Sequence, residues 1–243
     1  MSESRKKNWA ELEQLKKQGI EFDKLGNYEE AIVCYNKALV IDPKSAYMLS
    51  RKGDSLENLG RHDEALDCFR ISLECYNEAL YTNPKSAITL NNKSVALDRL
   101  GRHEEALDCI NLALEINPKY LRALGNKSAT LYDLGKYEES LVCCNMALVF
   151  NPKDSLALNN KNAALCRLGK NEEALDCINM VLEMDSKDAG ALYNKGATLY
   201  HLGKHEEAIE YCNKALEINP NDVYALDAKD HALDSLKGSS SIS

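Results

Sequence analysis

Six Leu-Gly pairs constrain this chain more than any other feature: Leu25-Gly26, Leu59-Gly60, Leu100-Gly101, Leu134-Gly135, Leu168-Gly169 and Leu202-Gly203. They follow one another at steps of 34, 41, 34, 34 and 34 residues. Self-similarity at that period marks a helix-turn-helix unit that cannot bury its apolar face alone and must stack on copies of itself. A charged first turn follows each pair, as in Tyr28-Glu29-Glu30-Ala31 and His103-Glu104-Glu105-Ala106, where acidic side chains suit a helix N-terminus. The second helix that starts there runs to an Asx-Pro stop at Pro43, Pro84, Pro118, Pro152 and Pro220, because proline cannot continue a helix. The fifth unit has Ser186 at the corresponding place.

Composition agrees with an all-α chain: 243 residues hold only 12 Gly and 5 Pro among abundant helix formers. A formal net charge of -8 argues against nucleic acid as a partner, since such surfaces carry an excess of Lys and Arg. The polar N-terminus lacks the apolar stretch of a signal peptide, and no run has the 18 or so apolar residues of a membrane span. A soluble, cytoplasmic protein is therefore expected, with no membrane partner. Nine cysteines in such a compartment act as small apolar side chains.

The first helix of the second unit carries Leu49, Lys52-Gly53 and Leu56, and its second helix Ala65 and Phe69; the first unit has Ala31, Tyr35, Ala38 and Pro43. This pattern resembles the tetratricopeptide repeat family over residues 12 to 222. Leu stands in place of that family's Trp at Leu49, Leu90, Leu124, Leu158 and Leu192, and Lys in place of its Leu at Lys52, Lys93, Lys127, Lys161 and Lys195. The resemblance implies an all-α, right-handed α-solenoid of about six repeats with a C-terminal capping helix. The expected boundaries are 1–11 for an N-terminal extension of the first helix, then repeats at 12–45, 46–86, 87–120, 121–154, 155–188 and 189–222. A capping helix at 223–237 and a disordered tail at 238–243 complete the division. Trp9 is expected to pack near Leu12, and Asp227, Asp230 and Asp234 to give the cap its polar outer face.

The 41-residue step reflects seven residues inserted into the second helix of repeat 46–86. Seven is two helical turns, so Ala65, Phe69 and Ser72 share a face with Tyr76, Ala79 and Leu80, with a drift of about 20°. The helix gains roughly 10 Å that no ordinary neighbour covers.

No catalytic centre is legible, and neither a cofactor nor a metal is expected. Cys34, Cys68, Cys109, Cys143 and Cys177 share one phase of the repeat, as packing residues do, and lack zinc-site spacing. His62, His103 and His205 share another packing phase. Lysines from Lys52 to Lys229, with Asn92, Asn126, Asn160 and Asn194, form ladders of scaffold residues.

In the resembled family the first helices line a concave groove that binds peptides. The groove phase here offers Tyr47, Asn91, Arg122, Tyr132, Asn159, Tyr193, Tyr200 and Tyr224, with small residues such as Ala129, Ala163 and Ala197 between the tyrosines from Arg122 onward. Tyrosine gives contact area with a polar tip, and small neighbours give depth. Alanine at Tyr193 and Tyr200 should then weaken ligand binding with little effect on stability. The family's Lys and Asn clamp for chaperone tails is absent, since its positions hold Lys16 and Ile20, Ser50 and Asp54, Asn91 and Val95, and Asn159 and Ala163. The leading expectation is a non-enzymatic scaffold for a protein or peptide partner. Two alternatives stand beside it: a regulatory subunit of an enzyme complex, and weak homo-oligomerisation through an apolar outer stripe of Ile71, Leu112, Met146 and Met180.

Overall fold

A computed structural model describes residues 3–240, and every regular element among them is helical. The chain divides after Pro118 into two units. Unit 1 holds α1 (Glu3–Lys24), α2 (Tyr28–Ile41), α3 (Ala46–Asn58), α4 (His62–Thr82), α5 (Ala87–Arg99) and α6 (His103–Ile116). Unit 2 holds α7 (Leu121–Asp133), α8 (Tyr137–Phe150), α9 (Ser155–Arg167), α10 (Asn171–Met184), α11 (Ala189–His201), α12 (His205–Ile218) and α13 (Val223–Ser240). Within each unit every helix packs on the next in chain order, and in unit 2 the first helices of successive pairs, α7, α9, α11 and α13, also touch one another.

The Leu-Gly signal works through backbone conformation. All six turn glycines have positive φ, between 71° and 74°, which costs a residue with a Cβ about 1–2 kcal/mol. The residue after the glycine then donates its N–H back to the helix, as Arg61 does to the Leu56 carbonyl at 2.9 Å, and so satisfies the carbonyls left open at the helix end. Second helices end without help from glycine. In the fifth repeat, where Ser186 stands in for proline, α10 still stops at Met184, and the Asp185 carboxylate accepts the Lys187 N–H at 3.0 Å.

Packing within a pair rests on a close approach at the middle of the first helix. A Cβ on Gly53 would lie 2.5 Å from Phe69 Cε1, and one on Gly19 would lie 2.6 Å from Tyr35 Cε1. Both rings are fully buried. The five in-phase cysteines are buried too, each 6% or 7% exposed, and burial raises their thiol pKa values, so they serve as packing atoms.

Four expectations are corrected. Trp9 is 60% exposed rather than packed near Leu12. His62 is exposed as well, its ring held only by Glu57 at 3.4 Å. The last helix continues to Ser240, three residues past the expected end, since Gly238 lowers helix propensity without a following proline to stop it; residues 241–243 of the expected tail lie outside the described residues. The fourth correction concerns α4, which spans 21 residues where other second helices have 14. Its added length is covered in part: Leu73 and Tyr76 are buried, and burial pushes the Tyr76 phenol up to about 12. Lys44 ties the preceding turn to Glu78 at 2.8 Å. Only the final turn stands free, with Tyr81 90% exposed.

Candidate functional site

The first helices of the two units present different chemistry. In unit 1 the face closes on its own charges. Asp23 on α1 accepts three hydrogen bonds of 2.6 Å, from the Tyr35 hydroxyl, Arg51 Nη2 and the Ser55 hydroxyl. Arg51 also lies 3.6 Å from Asp54, whose other oxygen accepts from Arg99 Nε on α5 at 2.9 Å. Burial raises the Asp54 pKa and outweighs the opposing pull of the Arg99 and Arg51 guanidiniums. Charge-assisted bonds of this length fix α1, α3 and α5 in register and leave their carboxylates already engaged.

In unit 2 the same face opens into a recess of about 480 Å³, bounded by residues of α7, α9, α11 and α13. Tyr132, Arg167, Tyr193, His201, Asp227 and His231 line it, with the smaller Ala163, Cys166, Ala197 and Thr198. Arg167 lies over the Tyr132 ring at 5.7 Å and donates Nε–H to its hydroxyl at 2.9 Å. Tyr193 and Tyr224 have ring centroids 6.0 Å apart, and burial raises the Tyr193 phenol pKa, so the group stays a neutral donor. Beside the recess, the Tyr200 ring gathers His201 and His205 at 5.5 Å and His231 at 6.1 Å. The base of the site is pinned by Asn162, 2% exposed, which donates to the Ala174 carbonyl at 3.0 Å and to Thr198 Oγ1 at 2.9 Å.

Sequence models of the tetratricopeptide repeat match residues 13–45, 44–119 and 189–222, more than half of the chain. The chain belongs to the tetratricopeptide repeat family. Its architecture is that family's all-α solenoid of repeats. No curated protein sequence matches it. Among solved structures it is similar to a thermophilic tetratricopeptide repeat protein of Thermus thermophilus, at 22% identity and a TM-score of 0.62 over 79% of this chain and 99% of that one. It is similar also to a tetratricopeptide repeat protein from Parabacteroides merdae, at 19% identity and a TM-score of 0.55 over 96% of this chain and 93% of that one. YrrB, described as carrying an unusual peptide-binding site, matches at 23% identity and a TM-score of 0.50 over 81% of this chain and 97% of that one. At these identities the likeness is one of fold.

Of the residues nominated from the groove phase of this tetratricopeptide chain, the recess brings together Tyr132 and Tyr193, with Tyr224 and Tyr200 packed beside it. Asn159 borders it through Asn194, whose Nδ2 donates to Asn159 Oδ1 at 2.9 Å. Arg122 is exposed on α7. Tyr47 belongs to unit 1, half-buried beneath Lys16 Nζ at 5.3 Å. Asn91 is a correction: it is fully buried and out of a ligand's reach, because the helix turns that position toward its neighbours. The lysine ladder is half-buried and leans on the second helices, as Lys195 does over the Tyr211 ring at 4.3 Å. Ile71, Leu112, Met146 and Met180 are 47%, 49%, 46% and 41% exposed. Arg167, Asn162 and the Asp23 network were missed; only Asn162 carried a signal, an amide at the phase that holds Gly19, Gly53, Ser94, Ser128 and Gly196 in the other repeats.

Among the described residues no group of three or more His, Cys, Asp or Glu is arranged to hold a metal ion, and no helix is long and apolar enough to cross a membrane.

Proposed function

We propose that this tetratricopeptide protein is a non-catalytic module that holds an extended or helical segment of another protein against the first-helix face of unit 2. The family fold is a protein–protein interaction scaffold, and its members are generally non-catalytic. The recess of about 480 Å³, lined by tyrosines and small residues, carries the choice of unit 2. Its size falls within the roughly 300–1,000 Å³ of ligand pockets, enough to take one or two bulky side chains. Tyrosine-lined faces are common in recognition surfaces because two rotatable bonds order a large contact area. The peptide-binding site described for YrrB is in keeping with this reading.

A photo-crosslinking amino acid placed at Tyr193 tests it. Polypeptide adducts from a cell extract should form there at several times the yield obtained with the same group at Asn213 on the exposed face of α12. Equal yields at the two positions would end the reading. Tyr193→Ala should weaken capture tenfold or more. It should also cost about 1–2 kcal/mol in stability, because Tyr193 packs against Leu192, Ala215 and Ala225. This corrects the expectation of an unchanged stability; Tyr200 packs in the same way against Leu199, Ala208 and Ala232.

A second reading, self-association, rests on the exposed apolar side chains of second helices: Ile71 and Leu112 in unit 1, Met146 and Met180 in unit 2. Light scattering of the purified protein at high concentration should show a species above the monomer mass of 27.1 kDa. Changing Leu112, Met146 and Met180 together to Lys should return the monomer with unchanged helix content. A wild type that is already monomeric removes this reading.

A further inference from the structure

Arginine pairing separates the two units. Among the described residues, Arg51, Arg61, Arg70, Arg99 and Arg102, all in unit 1, each lie within 4.0 Å of a carboxylate. Arg122 and Arg167 in unit 2 have no such partner, in a chain with 38 acidic and 30 basic residues. The internal symmetry makes the Arg167 case sharp. Arg99 and Arg167 occupy the same repeat position two repeats apart, at the C-terminal end of a first helix. Arg99 reaches the first helix of the preceding repeat and donates to Asp54 at 2.9 Å. The residue equivalent to Asp54 in the repeat before Arg167 is Ala129. Among the described residues Arg167 therefore finds no carboxylate within 4.0 Å. It is held instead by Tyr132, which accepts from Nε and lies under the guanidinium, while both Nη groups remain unpaired at the edge of the recess.

We infer that the segment held by unit 2 is acidic, and that Arg167 takes one of its side-chain carboxylates in the place that Asp54 fills for Arg99 in unit 1. This rests on the proposed use of the recess and adds the chemistry of its ligand. A guanidinium whose plane is already fixed on a phenol ring offers a carboxylate two parallel N–H donors with little further ordering. A single-charge carboxylate fits better than a phosphate dianion, because Asp227 contributes a negative charge to the same recess. The ladder lysines do not compete for the ligand, since they lean toward second helices.

The test uses the whole chain. A random twelve-residue peptide library displayed on phage, with its C-termini fused to the coat protein, is selected against the wild type, Arg167→Gln, Arg167→Lys and Tyr193→Ala. All four proteins are first matched for helix content by circular dichroism. Wild type should enrich peptides with more Asp and Glu than the starting library, and Arg167→Gln should lose that excess. Arg167→Lys keeps the charge without the fork and should retain part of it. The strongest wild-type peptide, resynthesised with capped ends, should bind about tenfold more weakly when its acidic residues become amides, and that loss should vanish in Arg167→Gln. Enriched peptides that depend on Tyr193 but carry no acidic excess, or an excess that survives Arg167→Gln, overturn this inference and leave the recess standing as a binding site. Enrichment independent of Tyr193, or none, overturns the recess itself. A version with phosphoserine at the acidic positions that binds tenfold tighter than the carboxylate peptide overturns the choice of carboxylate.

Discussion

Asp23→Ala is expected to lower the unfolding free energy by about 3 kcal/mol, among the largest single effects in the chain. The carboxylate is 9% exposed at its side chain and accepts from three groups at 2.6 Å. Its removal leaves the Tyr35 hydroxyl, on a side chain with no exposed surface, without an acceptor, and strips Arg51 of its shortest ion pair. Arg51 is 30% exposed and retains Asp54 at 3.6 Å, which keeps the cost near the lower end of that for breaking a buried pair. Asp23→Asn should fall between the two, because the amide oxygen still accepts while the charge is gone. Urea titration followed by helical circular dichroism measures both. A loss under about 1 kcal/mol for the alanine variant would mean that Arg51 and Tyr35 rehydrate on their own.

The Phe69 ring against Gly53 gives the other large effect. Phe69→Ala should cost about 4 kcal/mol, since the ring is fully buried among Ile32 of α2, Leu56 of α3 and Ala65 and Cys68 of its own helix, and its removal leaves a cavity between three helices. Gly53→Ala should cost about 2 kcal/mol even though alanine is the better helix former by about 1 kcal/mol, because the new methyl would sit 2.5 Å from the ring. The two sites must then be coupled. In a Gly53→Ala background, shortening the ring to Leu should cost at least about 1 kcal/mol less than it does in the wild type. Additive losses in the four-protein cycle would show that the backbone shifts to admit the methyl and that the close approach is not what holds α3 to α4.

The turn glycines, the in-phase cysteines and the starts of the second helices were legible because each is decided locally. A positive φ near 72° after a helix end admits glycine whatever lies around it. A residue type repeated at a fixed phase reports a contact made in every repeat. Where the reading failed, the deciding contact was distant or individual. Asn91 and Tyr224 share the groove-facing helix region, yet one is fully buried and the other 72% exposed, depending on what neighbouring helix lies over each. Partial burial of Tyr193 against Ala225 of α13 likewise turns a residue nominated for contact alone into one that also holds the fold.

By itself, then, the sequence determined the repeat, its helices and its turns, since those follow from φ preferences and from apolar spacing along one helix. Only the tertiary structure decided which first-helix face is closed and which is open. Arg51 and Asp23 are 28 residues apart and Arg99 and Asp54 are 45 apart, so their pairing exists only once the helices of unit 1 are stacked. The same stacking in unit 2 sets Arg167 beside Tyr132, 35 residues away, with no carboxylate of the described residues to meet it. A charge is satisfied or left open by what the neighbouring repeat places within about 4 Å of it, and no period read along the chain contains that distance.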